Sequence, residues 1–221
     1  MIKLINQPLG LRKKDSQLVG NQIEVAADWS SQCLGYNIQF VLPAPVSAHL
    51  NTIQQRILKL EPDSLYLCPK QSLHTTITWI LATRRTYNRP KDEIWEAIKE
   101  NCQSELDKIC SNFSSFTITF RDIVATNAAI IILAHDNGEM ARLRQAIRAS
   151  LPIPQETENK AEIIHATLFR YAAALKNPRR LLEFIDGLQE EIPVVVDCLS
   201  IRKELIYPSL KSELLHSVKL K

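Results

Sequence analysis

HTTI at residues 74–77 and HATL at residues 165–168 decide the reading of this chain. Each is a histidine, any residue, a threonine and an aliphatic residue; His49, His135 and His216 sit in no such context. The flanks, LHTTITWIL and IIHATLFRY, are rich in β-branched and aliphatic residues and read as strands. Side chains alternate along a strand, so residues two apart share a face. His74 and Thr76 therefore present an imidazole and a hydroxyl together, as do His165 and Thr167, while Ile77 and Leu168 turn to the core. Where the two strands lie side by side, two imidazoles and two hydroxyls converge on one cavity.

Upstream, YNIQFVL (36–42) alternates Tyr36, Ile38 and Phe40 against Asn37, Gln39 and Val41, which predicts a strand with one core face. Pro43 and Pro45 end it. A helix follows on Val46, Leu50, Ile53, Ile57 and Leu60, with Ser47 as a candidate cap. Leu65 to Ala82 reads as strand interrupted near Pro69, and a helix is expected over 91–111. The second half has similar parts. Phe116, Ile118 and Phe120 alternate with threonines, AAIIILA (128–134) suits a strand buried on both faces, and Asp136-Asn137-Gly138 makes a turn. Helices over 139–150 and 178–190 and strands over 193–201 and 213–220 complete an α+β chain with a rough internal duplication. Residues 1–32, polar and aperiodic, read as an N-terminal extension to a domain at 33–221.

The bulk composition narrows the partners. A chain of 221 residues, 45% hydrophobic and 23% charged, matches an ordinary soluble globular protein, and its net charge of +3 falls short of a dedicated nucleic-acid binder. A small anionic ligand in a local basic cleft suits that balance. Five scattered cysteines (Cys33, Cys68, Cys102, Cys110, Cys198) form no CxxC and no zinc-like spacing with histidine. Reduced thiols, no secretory signal in MIKLINQPLGLRKKD and no membrane-length apolar run lead to the expectation of a cytoplasmic protein.

Two histidines and two hydroxyls suit phosphodiester chemistry without a metal. Attack on phosphorus needs a base for the incoming hydroxyl and an acid for the departing oxygen. Histidine, with an ordinary pKa of about 6.5, supplies either form. The threonine hydroxyls can donate to the non-bridging oxygens. A zinc site on His74 and His165 lacks an evident third ligand.

The paired HxT motifs, each on a strand, resemble the signatures of the 2H phosphoesterase superfamily, which includes 2′,5′-RNA ligase-like proteins and 2′,3′-cyclic nucleotide phosphodiesterases. The resemblance spans roughly 33–221 and includes the ending IRKELIYPSLKSELLHSVKL, similar to the family's closing strand pair. It implies a bilobal fold, two pseudo-symmetric lobes of antiparallel sheet with outer helices around a central cleft. It also implies His165 as the base, His74 as the acid, no cofactor or metal, and a monomer acting on a nucleotide or RNA with a phosphodiester or cyclic phosphate. The rival reading keeps the fold as an RNA- or nucleotide-binding module with little turnover.

Other residues carry two readings each. Tyr171 shares a strand face with His165, so it either lines the cleft or packs in the core. Tyr36 and Phe40 either stack a base or fill the core. Strand alternation turns Arg170 away from His165, toward a structural ion pair. Arg84, Arg85, Arg89 and Lys91 either guide an RNA backbone or form a solvated loop.

Overall fold

A computed structural model describes residues 18–158 and 162–221; positions 1–17, over half of the expected extension, lie outside that description. The chain builds two antiparallel sheets. The first has the order β3-β1-β8-β9 and the second β2-β6-β5-β4-β7. The strands are β1 (Gln32–Val41), β2 (Leu65–Leu67), β3 (His74–Leu81), β4 (Phe116–Ala125), β5 (Ala129–His135), β6 (Ile164–Tyr171), β7 (Ile192–Val196), β8 (Cys198–Ile206) and β9 (Lys211–Lys219). The helices are α1 (Ala44–Leu58), α2 (Lys91–Asn112), α3 (Glu139–Ser150) and α4 (Pro178–Gly187).

Several expected elements divide between the sheets. The break near Pro69 is a crossover through a 3₁₀ turn (Lys70–Ser72): β2 pairs with β6, whereas β3 pairs with β1. The expected strand at 193–201 is two, with β7 on β4 and β8 on β1, parted at Asp197. Local hydrophobicity carries no mark of such a change of partner. Helix α1 starts at Ala44 after Pro43, so Ser47 is no cap; its buried hydroxyl donates to the Leu42 carbonyl instead. Helix α4 ends at Gly187, short of 190.

β1 is also more enclosed than its alternation suggests. Lying between β3 and β8, it is buried on both faces from Gly35 to Phe40. Asn37 and Gln39 are therefore buried. Asn37 donates to Glu204 and Gln39 to Ser209.

Helices α1 and α3 exchange partners. Helix α1, which follows a strand of the first sheet, packs on β2 and β6 of the second; α3, which follows a strand of the second sheet, packs on β3 of the first. Asp136 anchors α3 by accepting from the amides of Gly138 and Met140, and Gly138 takes the positive φ of 91° that the turn requires. The exchange sets each helix beneath the opposite sheet's histidine strand.

The described part of the expected extension docks across the edge of both sheets. Glu24 and Ala26 donate backbone hydrogen bonds to Asn127 and Tyr171 of the second sheet's side. Ser30 and Ser31 exchange backbone bonds with Tyr207, which follows β8 of the first. Trp29 stacks on Tyr66 with ring centroids 4.9 Å apart.

Candidate active site

β3 and β6 meet at the seam of the two sheets, and a cleft of about 360 Å³ opens between them. His74, Thr76, His165 and Thr167 all line it. The alternation read from the two motifs holds over these residues: each histidine and threonine is partly open to the cleft, while Thr75 and Ala166 between them are buried.

One residue beyond each threonine the alternation breaks. Thr76 pairs with Gln39 and Thr78 with Ile38, which leaves Ile77 as an extra residue; Thr167 pairs with Ile131 and Phe169 with Ile130, which leaves Leu168 extra. A β-bulge reverses the facing of everything beyond it. Trp79 and Arg170, each five residues after its histidine, consequently join the cleft lining.

The bulge in β6 overturns the reading of Arg170 and decides between the two readings of Tyr171. Arg170 faces the cleft rather than turning away from it. Tyr171 turns inward, 0% exposed, and its hydroxyl donates to the Thr126 carbonyl at 2.7 Å, so it does not line the cleft. Tyr36 and Phe40 also lie in the core at 1% and 2% exposure. Tyr36 stacks on Trp95 and bonds Asp92, an arrangement that leaves no ring face for a base.

At each bulge a buried helical side chain donates to a strand carbonyl. Arg144 of α3 donates from Nε to the Ile77 carbonyl at 3.0 Å, and from Nη2 to Thr76 at 2.9 Å and to Ile163, just before β6, at 3.1 Å. Gln54 of α1 donates from Nε2 to the carbonyls of Leu168 and Cys68, both at 2.8 Å. Neither residue was singled out from sequence. The available signal was a polar residue on an apolar stripe, Arg144 among Met140, Leu143 and Ile147, and Gln54 beside Ile53 and Ile57.

The two imidazoles differ in setting. His74 Nδ1 lies 2.7 Å from the Ser72 carbonyl, so Nδ1 carries the proton and Nε2 is the free nitrogen. Burial lowers the His74 pKa; the Ser72 carbonyl opposes that shift and Arg202 adds to it. His165 is pushed down to about 4 by burial, then by His74, Arg144 and Arg170. Among the described residues its Nδ1 has no hydrogen-bond partner: the nearby Ile163 carbonyl favours the charged ring slightly but is bonded by Arg144. Burial thus favours the neutral form of both rings.

The rest of the lining is mixed. Arg170 donates to Ala128 through Nη1 at 3.3 Å, and its buried Nε has no partner among the described residues. Arg84 pairs with Asp28, and Arg85 with Glu158. Glu204 is buried, its carboxyl pushed up by desolvation and held by Ser209 and Asn37. The Cys68 thiol is pushed up to about 12 by burial, which makes it a poor nucleophile at neutral pH. Arg89 and Lys91 are not among the lining residues; Lys91 donates to the carbonyls of Leu34 and Thr83.

No protein-family model and no curated protein matches the sequence. Solved structures do match. TT0787 of Thermus thermophilus superimposes with a TM-score of 0.61 at 18% identity, covering 85% of this chain and 97% of its own. E. coli LigT in apo form gives 0.59 at 12% identity, covering 86% and 99%. A structure described as a phosphoesterase gives 0.59 at 14% identity, also covering 86% and 99%. E. coli LigT has in addition been solved with 3′-AMP, at a TM-score of 0.57 and 12% identity over the same shares of the two chains.

Proposed function

Starting from a chain with the LigT-like 2H phosphoesterase fold, we propose that it is a metal-independent phosphodiesterase acting on 2′,3′-cyclic phosphates or related nucleotide and RNA phosphodiesters. The observation that carries this reading is the meeting of His74 and His165, one from each sheet, in one cleft with Thr76, Thr167 and Arg170.

The phosphodiester anion sits between the imidazoles. Hydroxyl donors from Thr76 and Thr167 and the Arg170 guanidinium hold the non-bridging oxygens, whose charge grows as the fifth bond to phosphorus forms. His165 takes the proton of the attacking water. His74 is the better acid, because the Ser72 carbonyl already accepts from Nδ1 and stabilises the imidazolium. Its Nε2–H passes to the departing ribose oxygen as the P–O bond breaks. The bound anion offsets the cationic surroundings and raises the fraction of His74 carrying its second proton. With a ribose 5′-hydroxyl in place of water, the same ring-opening joins a 2′,5′ linkage: His165 takes the hydroxyl's proton, the bond from phosphorus to the 3′ oxygen breaks, and His74 protonates that oxygen. Acid, base and anion donors are all side chains, so no step calls for a cation. E. coli LigT in complex with 3′-AMP supports a nucleotide as the ligand class.

The test is turnover of a panel of 2′,3′-cyclic nucleotides and short RNAs by the wild type, His74→Ala and His165→Ala, each with and without EDTA. Wild-type turnover that survives EDTA is expected, with a loss on the order of 10²–10⁴-fold for each histidine. Turnover retained in both alanine variants overturns the mechanism.

A further inference from the structure

A second cavity of about 280 Å³ adjoins the catalytic cleft. Arg84, Arg170 and Tyr207 line both. The Tyr207 ring forms the partition, with the Arg84 guanidinium 4.7 Å from its centroid and that of Arg170 at 5.9 Å. At these distances both cations lie within cation–π range, so the partition is held by charge as well as by packing. The far wall is residues 24–28 of the docked N-terminal segment, with Ala128 of the second sheet's side.

The segment is secured at each end of this wall. Glu24 and Ala26 bond the second sheet's side and Ser30 and Ser31 the first, so the wall stands fixed across the seam. Asp28 pairs with Arg84 through Nη2 at 2.6 Å. The chemistry of the two cavities therefore differs. The catalytic cleft offers imidazole, hydroxyl and guanidinium donors suited to phosphate. The carboxylates of the catalytic cleft are engaged, Glu204 by Ser209 and Glu158 by Arg85; the outer cavity adds Glu24, beside the Arg84-paired Asp28, an acceptor that repels a second phosphate and suits the hydroxyls of a sugar or the amino edge of a base. Ala26, Ala27 and Ala128 leave the space between them open.

We propose that residues 24–28 complete a second subsite, which takes the nucleoside attached on the far side of the phosphate held by the histidines. The inference rests on the phosphodiesterase reading and extends it. A dinucleoside monophosphate fills both cavities, with Arg170 reaching from phosphate to second nucleoside, whereas a cyclic mononucleotide fills one.

The test compares KM for a dinucleoside monophosphate and for a 2′,3′-cyclic mononucleotide in the wild type and in Ala27→Trp, which fills the outer cavity. The KM ratio, dinucleotide over cyclic mononucleotide, is expected to rise at least tenfold. Glu24→Lys, on an exposed side chain, is a second variant; it is expected to improve KM for a dinucleotide bearing a phosphate on the outer nucleoside. A ratio unchanged in both variants overturns the subsite. If the wild type turns over no phosphodiester, the mechanism fails separately, and calorimetry with a non-hydrolysable dinucleoside analogue decides the subsite. Weaker binding to Ala27→Trp than to wild type supports it, and equal binding overturns it.

Discussion

Arg144 donates to the carbonyl of Ile77 at 3.0 Å, at the point where β3 bulges. Because the same guanidinium also holds Thr76 and Ile163, one buried cation braces the carbonyls of both histidine strands. Burial lowers its pKa only to about 10, so it stays charged at neutral pH. It is a positioning residue that also acts through its field: after burial and His74, its charge is the next contributor to the depression of His165.

Arg144→Met is expected to lose about 1–3 kcal/mol of stability, because carbonyls at the bulge lose their donor. It also removes a positive charge near His165, so the His165 pKa rises. The acidic limb of kcat/KM should move to higher pH, a shift that a purely structural role does not produce. Denaturant unfolding and a pH–rate profile on the same variant measure both effects, and Arg144→Lys should restore the limb while recovering stability only in part.

The wild-type pH profile follows from the two depressed imidazoles. A base must be unprotonated, so His165 works above its pKa of about 4. An acid must be protonated, so His74 works below a pKa that lies under the ordinary value of about 6.5. The profile of kcat/KM, which reports the free enzyme, is expected to be a bell confined between these limits, with its optimum on the acid side of neutrality. An optimum above pH 7 would reverse the assignment of environments.

Thr76→Val and Thr167→Val keep the β-branched shape and remove the hydroxyl. A donor to the developing charge on the phosphoryl oxygens is worth about 10²-fold or more in kcat. Each variant should therefore lose rate at nearly unchanged KM, with thermal unfolding close to wild type. A change in KM alone would make the threonines ground-state contacts.

Tyr171→Phe separates the core from the cleft. The lost hydrogen bond to Thr126 should cost about 0.5–1.5 kcal/mol of stability and leave KM unaltered. Altered substrate affinity at wild-type stability would return Tyr171 to the cleft.

The HxT pair, the strand character around it and the helix on 139–150 were legible in the sequence, because periodicity and residue type are local properties. His74, Thr76, His165 and Thr167 sit on faces that alternation predicts. Alternation stops being a guide at Ile77 and Leu168, where a single extra residue reverses the strand. No side chain marks a bulge in advance; it is accommodated by the neighbouring strands and by the buried donors Arg144 and Gln54, which bond carbonyls there. Only the tertiary structure, for that reason, brought Arg170 and Trp79 to the cleft, sent Tyr171 to the core and set residues 24–28 against Tyr207. Sequence determined which groups the protein carries for its chemistry, since those are covalent facts. Packing between the two sheets decided which of them meet, since contacts between distant residues depend on strand partners that no local pattern encodes.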